Sequence, residues 1–215
     1  MKTSLYAAVA ACALAFASSA GASILVPPQS PTAPDVFASI PTGSIVASLL
    51  GQSFVSDLGA ADFSGVYSTE VIQGANVFGA NDLTFVYQFN NATTSGQDIN
   101  RVTASDFGGF QTDVGYVTGT GDIPDSVDRT SSNPVGFNFA TGVLPGTTSS
   151  VLIIETDATE FVPGHFSLID DGVSLNPAFA PGVPEPKTWA MMIAGLAFLG
   201  FAARRRKRSI NAFGI

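Results

Sequence analysis

The sequence predicts an all-β fold, a single antiparallel β-sandwich of the jelly-roll or immunoglobulin type, between two processed ends. Short apolar stretches separated by Gly, Pro and Asn fill the middle of the chain. None of them has apolar residues at helical spacing, and several alternate between apolar and polar side chains. This middle part, about 160 residues, is long enough to bury one core.

The first 22 residues have the pattern of a secretory signal peptide. Lys2 precedes an apolar run at residues 5–16, and small residues follow as far as Ala22. Ala20 and Ala22 fit the subsites of signal peptidase, so we expect cleavage after Ala22. The Sec translocon and signal peptidase are therefore the first expected partners. The only cysteine, Cys12, lies in this leader, so disulfides and thiolate sites are not expected in the mature chain.

A proline-rich lead at residues 23–42 follows, which is either extended or a loosely tethered linker. The predicted sandwich domain then runs from residue 43 to residue 180. Its clearest strand is at residues 83–89, where Leu83, Phe85, Tyr87 and Phe89 share one face. Further strands are expected at residues 44–50, 65–71, 99–105, 113–117, 135–139, 151–155 and 166–170.

Two Pro-Gly pairs predict turns. Pro145 and Gly146 occupy the central positions of a type II turn that joins the strands at 135–139 and 151–155. Pro163 and Gly164 predict a second turn, before the strand at 166–170. The longest irregular stretch is expected at residues 118–134, and long loops often carry function. Asn91-Ala92-Thr93 matches a glycosylation sequon and is interpreted as a turn.

The middle of the chain is strongly acidic. Between residues 23 and 183, Arg101 and Arg129 are the only basic residues against sixteen Asp and Glu, a formal charge of −14. Nucleic-acid binding depends largely on Lys and Arg contacts to phosphates, so no nucleic-acid partner is expected. The acidity favours a well-hydrated extracellular molecule and leaves room for divalent cations.

Asp122, Asp125 and Asp128, in the predicted long loop, are the candidate metal ligands. Oxygen ligands in a flexible loop suit Ca²⁺, although the spacing is not that of an EF-hand. Solvated loop acids are the simpler interpretation, and no other cofactor is expected. The chain has a single histidine, His165, and no Gly-x-Ser-x-Gly motif, so we predict no catalytic residue and no enzyme activity.

Residues 181–208 contain three parts in a fixed order. A short motif with Pro184, Glu185, Pro186, Trp189 and Ala190 precedes an apolar helix predicted at residues 189–203. A basic run at 204–208 follows, which includes Arg204, Arg205 and Arg206 and is expected to stay in the cytoplasm. The sixteen residues from 188 to 203 span about 24 Å as a helix, less than the hydrocarbon core of about 30 Å. Such a helix suits a transient membrane stop, and residues 209–215 are a cytoplasmic extension.

This tail resembles the PEP-CTERM sorting signal of Gram-negative bacteria, in the variant Pro-Glu-Pro-x-x-Trp-Ala. The resemblance implies recognition and cleavage near the tripeptide by an exosortase. It further implies an inner-membrane intermediate, release to the cell surface or medium, and a link to exopolysaccharide. The tail is also known as an ice-binding-protein C-terminal domain, but Thr118 and Thr120 are a single pair and not an ice-binding array. A permanent single-pass anchor is the alternative interpretation.

These observations lead to two hypotheses for the mature domain. The first is a non-enzymatic surface or extracellular matrix protein, exosortase-processed and associated with exopolysaccharide or biofilm. The alternative is a calcium-stabilised carbohydrate-binding module. Sugar platforms use exposed aromatic rings, and the mature domain keeps no tryptophan and only Tyr67, Tyr87 and Tyr116 among tyrosines.

Overall fold

The computed structural model describes residues 24–26, 29–129 and 133–182. Within those ranges the chain forms thirteen strands and no helix. The strands are Ile24–Leu25 (β1), Gln29–Thr32 (β2), Asp35–Phe37 (β3), Ser44–Val55 (β4), Ser64–Gly74 (β5), Asp82–Asn91 (β6), Ile99–Ala104 (β7), Thr112–Val117 (β8), Ser126–Arg129 (β9), Val135–Val143 (β10), Val151–Thr156 (β11), Glu160–Ile169 (β12) and Val173–Gly182 (β13).

The strands form two sheets that pack face to face. Sheet A has seven strands in the order β1-β8-β11-β6-β5-β4, with β3 also beside β8. Sheet B has six strands in the order β13-β12-β7-β10-β9-β2. Every pairing is antiparallel except that of β3 with β8. The predicted all-β antiparallel sandwich is confirmed.

The core lies between the sheets and is rich in aromatic side chains. Leu83, Phe85, Tyr87 and Phe89 of β6 are each at most 1% exposed, as the alternation in the sequence predicts. The ring of Phe166, from β12, stacks on that of Tyr87 at 4.9 Å between centroids and 9° between planes. Because each fully buried aromatic residue is worth several kcal/mol, these rings dominate the packing between the sheets.

The described part of the proline-rich lead belongs to the sheets. β1 and β3 lie beside β8 of sheet A, and β2 lies beside β9 of sheet B. Leu25 is completely buried in the core. The lead is therefore extended and held by backbone hydrogen bonds, and it is not a loose linker. Pro31 is tolerated because β2 is an edge strand.

The stretch predicted as a long loop at residues 118–134 contains a strand. β9 pairs with β10 on one side and β2 on the other. Its sequence, Ser-Val-Asp-Arg, places one apolar side chain among three polar ones, which is too short a pattern for the alternation rule to detect. The loop prediction is therefore wrong for residues 126–129.

One predicted turn is confirmed and the other is wrong. Gly146 has a φ of 88° and the amide of Thr147 donates to the carbonyl of Leu144 at 3.0 Å, as a type II turn requires. This turn crosses from β10 in sheet B to β11 in sheet A. Pro163 and Gly164 instead lie inside β12, paired with β13. The β7 ladder begins only at Phe166, so a residue without an N–H is tolerated at Pro163.

Candidate functional site

The three candidate metal ligands are each bound to a different protein partner. The Asp122 carboxylate accepts a hydrogen bond from the Thr147 hydroxyl, and Asp125 accepts from the Ala140 amide at 2.6 Å. Asp128 lies on β9 and is 3% exposed. No three His, Cys, Asp or Glu side chains in the described part of the chain are grouped so that they could hold a metal ion. The structure therefore does not bring the predicted calcium ligands together.

Asp128 forms the core of a polar cluster on the outer face of sheet B. Both of its carboxylate oxygens accept from the Arg101 guanidinium, at 2.6 and 3.0 Å. The Asn138 side-chain amide donates to Asp128 at 2.8 Å and also accepts from Arg101. A Cβ on Gly136 would overlap the Arg101 guanidinium, so glycine leaves the space that this group occupies. The bidentate pair of Arg101 and Asp128, together with Asn138, links β7, β9 and β10.

Arg129 is fully buried and has a structural role. Its guanidinium donates to the carbonyl oxygens of Phe110 at 2.7 Å, Leu25 at 3.3 Å and Phe107. Burial lowers the pKa of Arg129, and the nearby negative charge of Asp157 acts in the opposite direction. The Arg101 guanidinium is bound to Asp128 and Asn138. Neither arginine of the described domain therefore offers a free cation for an anionic ligand.

The outer face of sheet A contains a pair of buried carboxylates that the sequence reading missed. Glu155 on β11 is directly opposite Asp113 on β8, and they are 4% and 1% exposed. Burial raises the pKa of Glu155, a hydrogen bond from the Val77 amide at 3.2 Å opposes the rise, and the charge of Asp35 adds to it. Glu155 and Asp113 stand 42 positions apart in the sequence, so only the register of β11 and β8 brings them together.

His165 is exposed on β12, and its described contacts are through the backbone. Its amide donates to Oγ of Ser105 at 3.2 Å, and its carbonyl accepts from the Ser105 amide at 3.0 Å. The Ser105 hydroxyl donates to Asp106 at 2.9 Å. Ser105 therefore contacts both Asp106 and the His165 backbone, and these bonds do not involve the imidazole ring on which a catalytic triad depends.

Two of the three tyrosines in the described residues, Tyr67 and Tyr87, belong to the core. Tyr67 and Tyr87 are 2% and 0% exposed, and burial raises the pKa of both. Their hydroxyls donate across the sandwich to the carbonyls of Pro177 at 2.8 Å and Phe179 at 3.0 Å. Neither ring is available as a sugar platform. Asn91 of the sequon is also fully buried, and its amide nitrogen donates to two backbone carbonyls, so it is closed to glycosylation.

Two shallow depressions lie side by side on the outer face of sheet A, with volumes of 210 and 160 Å³. They share Ser68 and Gln88, and Asn90 lines the larger one. The amide nitrogens of Gln88 and Asn90 donate to the backbone at residues 147 and 149. The loop at residues 147–149 therefore holds both side chains in place on this face.

The C-terminal strand leads directly into the segment singled out in the sequence. β13 is hydrogen-bonded to β12 along its whole length, and its last residue, Gly182, is opposite Glu160. The tripeptide Pro184-Glu185-Pro186 begins two residues later.

Residues 182–207 match the PEP-CTERM protein-sorting motif.

The PEP-CTERM match confirms the resemblance stated from the residues. A PEP-CTERM segment is the recognition signal of exosortase, so this chain is directed to exosortase, for export and membrane-associated processing. The match starts at Gly182, the last residue of β13. The motif residues Pro184, Glu185, Pro186, Trp189 and Ala190, the helix at 189–203 and Arg204 to Arg206 lie outside the described residues, as do Ala20 and Ala22.

None of the described segments forms an apolar helix of membrane-spanning length. Comparisons with curated proteins and with solved structures found no match. The PEP-CTERM segment at residues 182–207 is therefore the part of the chain that these comparisons relate to known proteins.

Proposed function

We propose that the mature sandwich is a non-enzymatic surface or matrix protein, released after sorting and associated with extracellular polysaccharide or biofilm. The observation that carries the proposal is the PEP-CTERM segment at residues 182–207, joined without a linker to the last strand. Cleavage near the tripeptide would release the sandwich with all thirteen strands.

The non-enzymatic part of the proposal is supported by how the reactive side chains are used. His165 contacts Ser105 through backbone atoms, and Asp128 is neutralised by Arg101. The buried pair of Glu155 and Asp113 is 4% and 1% exposed, which leaves little room for a substrate.

The polysaccharide part is supported by the lining of the depressions on sheet A. Ser68, Gln88, Asn90 and Thr148 offer uncharged hydrogen-bonding groups beside apolar carbon from Val66. Sugars present hydroxyl groups and C–H patches, which match such a surface. Each contact would be weak, so stable association with a long polymer would require many copies of the protein bound along it.

The sorting step is tested in a host that expresses exosortase. A chain with Pro184, Glu185 and Pro186 changed to Ala should accumulate in the membrane unprocessed. Lys187→Ala is the matched control, because position 187 is variable in the motif Pro-Glu-Pro-x-x-Trp-Ala, and this variant should be processed normally. Mass spectrometry of the released natural protein should find no peptide from Trp189 onward. Released protein that retains Arg204 to Arg208 would contradict the proposal.

The matrix role is tested separately. Deletion of the gene should change the amount or cohesion of the matrix, and released protein should co-sediment with isolated exopolysaccharide. Gln88→Ala together with Asn90→Ala should reduce that co-sedimentation, whereas Ser105→Ala, directly after β7 of sheet B, should not. The matrix role is rejected if the matrix is unchanged under several growth conditions and the protein does not co-sediment with exopolysaccharide. The assignment of the sorting segment does not depend on this result.

A further inference from the structure

β4 is a long edge strand with one open side. Its 12 residues, Ser44–Val55, pair with β5, and none of the described strands pairs with its other side. The open side of an edge strand presents backbone N–H and C=O groups that can pair with another strand.

The other described sheet edges are protected by proline or by shortness. β13 contains Pro177 and Pro181, and β2 contains Pro31. The far edge of sheet A consists of β1 and β3, which have two and three residues. These are the devices by which natural sheets avoid pairing with other chains. β4 has no proline and no charged residue.

β4 also exposes apolar side chains in a region without charge. Ile45, Leu50 and Val55 are 59%, 59% and 51% exposed. No charged residue occurs from position 36 to position 56, although the sequence between residues 23 and 183 has a formal charge of −14. Two copies of so acidic a molecule repel each other over most of their surface, and this stretch is where they can approach without that repulsion.

Two β-bulges limit how much of the edge is regular. The ladder with β5 shifts between Ile45 and Ala47 and again between Leu49 and Gln52, where Gly51 has a φ of 60°. Bulges twist an edge and shorten the run available for pairing. Residues 52–55 remain as the longest regular run of β4. Any pairing is therefore short, which fits a reversible contact better than a permanent one.

We infer that β4 pairs antiparallel with β4 of a second copy of this chain, around a two-fold axis, so that two copies of sheet A form one continuous sheet. The pairing satisfies the open backbone groups of both edges and brings the exposed aliphatic side chains together. A two-fold axis uses the same patch on both copies and closes the assembly at two. An oppositely charged partner would find no charged group on β4 to engage.

Analytical ultracentrifugation of the protein isolated from its host tests the inference over about 1 to 100 µM, the range of weak to moderate affinities. The natural protein should form a reversible dimer. Leu50→Lys and Val55→Lys each place a charge in the proposed contact and should raise the dissociation constant by about tenfold or more. Leu175→Lys is the matched control, because Leu175 is 65% exposed on the proline-containing edge β13. It should leave the dissociation constant unchanged.

Thermal melts should show that the three lysine variants remain folded, so that a lost dimer is not a lost fold. Amide hydrogen exchange in residues 44–55 should slow as the concentration of the natural protein rises. A protein that stays monomeric throughout the range overturns the inference, as does an assembly larger than two. A dimer that resists both β4 variants, or one that Leu175→Lys weakens equally, also overturns it.

Discussion

The hydroxyl group of Tyr87 on β6 donates a hydrogen bond of 3.0 Å to the carbonyl oxygen of Phe179 on β13. Tyr67 makes the equivalent bond of 2.8 Å to Pro177. Two side chains of sheet A therefore hold the backbone of the edge strand of sheet B that leads into the sorting segment. The proline-containing strand needs this support, because prolines remove donors from the ladder.

We expect Tyr87→Phe to lower the free energy of unfolding by about 1–2 kcal/mol, because the partly buried carbonyl of Phe179 loses its partner while the ring stack with Phe166 remains. Urea denaturation measures the change. Tyr116→Phe, at a half-buried position, is the control and should change stability by less than about 0.5 kcal/mol. Equal effects of the two substitutions would argue against a special role for the Tyr87 hydroxyl.

Asp128→Ala should destabilise the domain by about 2–3 kcal/mol, less than for a fully buried pair because the Arg101 side chain is 30% exposed. The variant leaves Arg101 and Asn138 without their shared acceptor. Asp125→Ala, at an exposed position, should cost less than about 1 kcal/mol. Because these carboxylates are bound to protein groups, Ca²⁺ or EDTA should not move the melting temperature of the natural protein. A large shift on chelation would restore the calcium hypothesis.

The stability of the domain should fall as the pH rises above the ordinary pKa of Glu155, 4.5, because burial raises its pKa in the folded state. The folded chain binds more protons than the unfolded chain between those two pKa values, so ionisation favours unfolding. Glu155→Gln removes this charge beside Asp113 and Asp35 and keeps an acceptor for the Val77 amide. Its melting temperature should exceed that of the natural protein at pH 7, and the difference should shrink in acid. A variant that is less stable at pH 7 would refute this explanation.

A chain ending at Pro186 should be as stable as the full-length protein, because the ladder of β13 ends at Gly182. A chain ending at Ala178 loses the Tyr87 acceptor and the Phe179 ring, which packs on Phe161 at 5.6 Å. It should lose about 3 kcal/mol or more. Denaturation curves of the two truncated chains provide the comparison. Equal stability would mean that β13 contributes little beyond residue 178.

Alternation in the sequence predicts the strands whose two faces differ in polarity. The strand at residues 83–89 is the clearest case, and β6 contains all of it. β13 escapes the same rule because Pro177 and Pro181 argue against a strand, whereas an edge position tolerates them. Pro163 misleads in the same direction, since it predicts a turn where β12 continues. Whether a proline ends a strand depends on neighbours that only the tertiary fold supplies.

The sorting segment is predictable because its chemistry is local to one short stretch. The cluster of Arg101, Asp128 and Asn138 is not, since the three residues come from three strands and meet through the register of sheet B. For Asp128, the sequence predicted a loop carboxylate, and the strand pairing turned it into the partner of an arginine. The pair of Glu155 and Asp113 depends on register in the same way.

The second sheet is completed by β13, the strand that directly precedes the sorting segment. β2, near the start of the described chain, and β13, at its end, form the opposite edges of sheet B. A chain that stops short of β13 therefore lacks one border of this layer, and it also lacks the sorting segment at residues 182–207. Any chain that carries the sorting segment also carries β13, so a product truncated at its C-terminal end, with an incomplete second sheet, has no signal for exosortase.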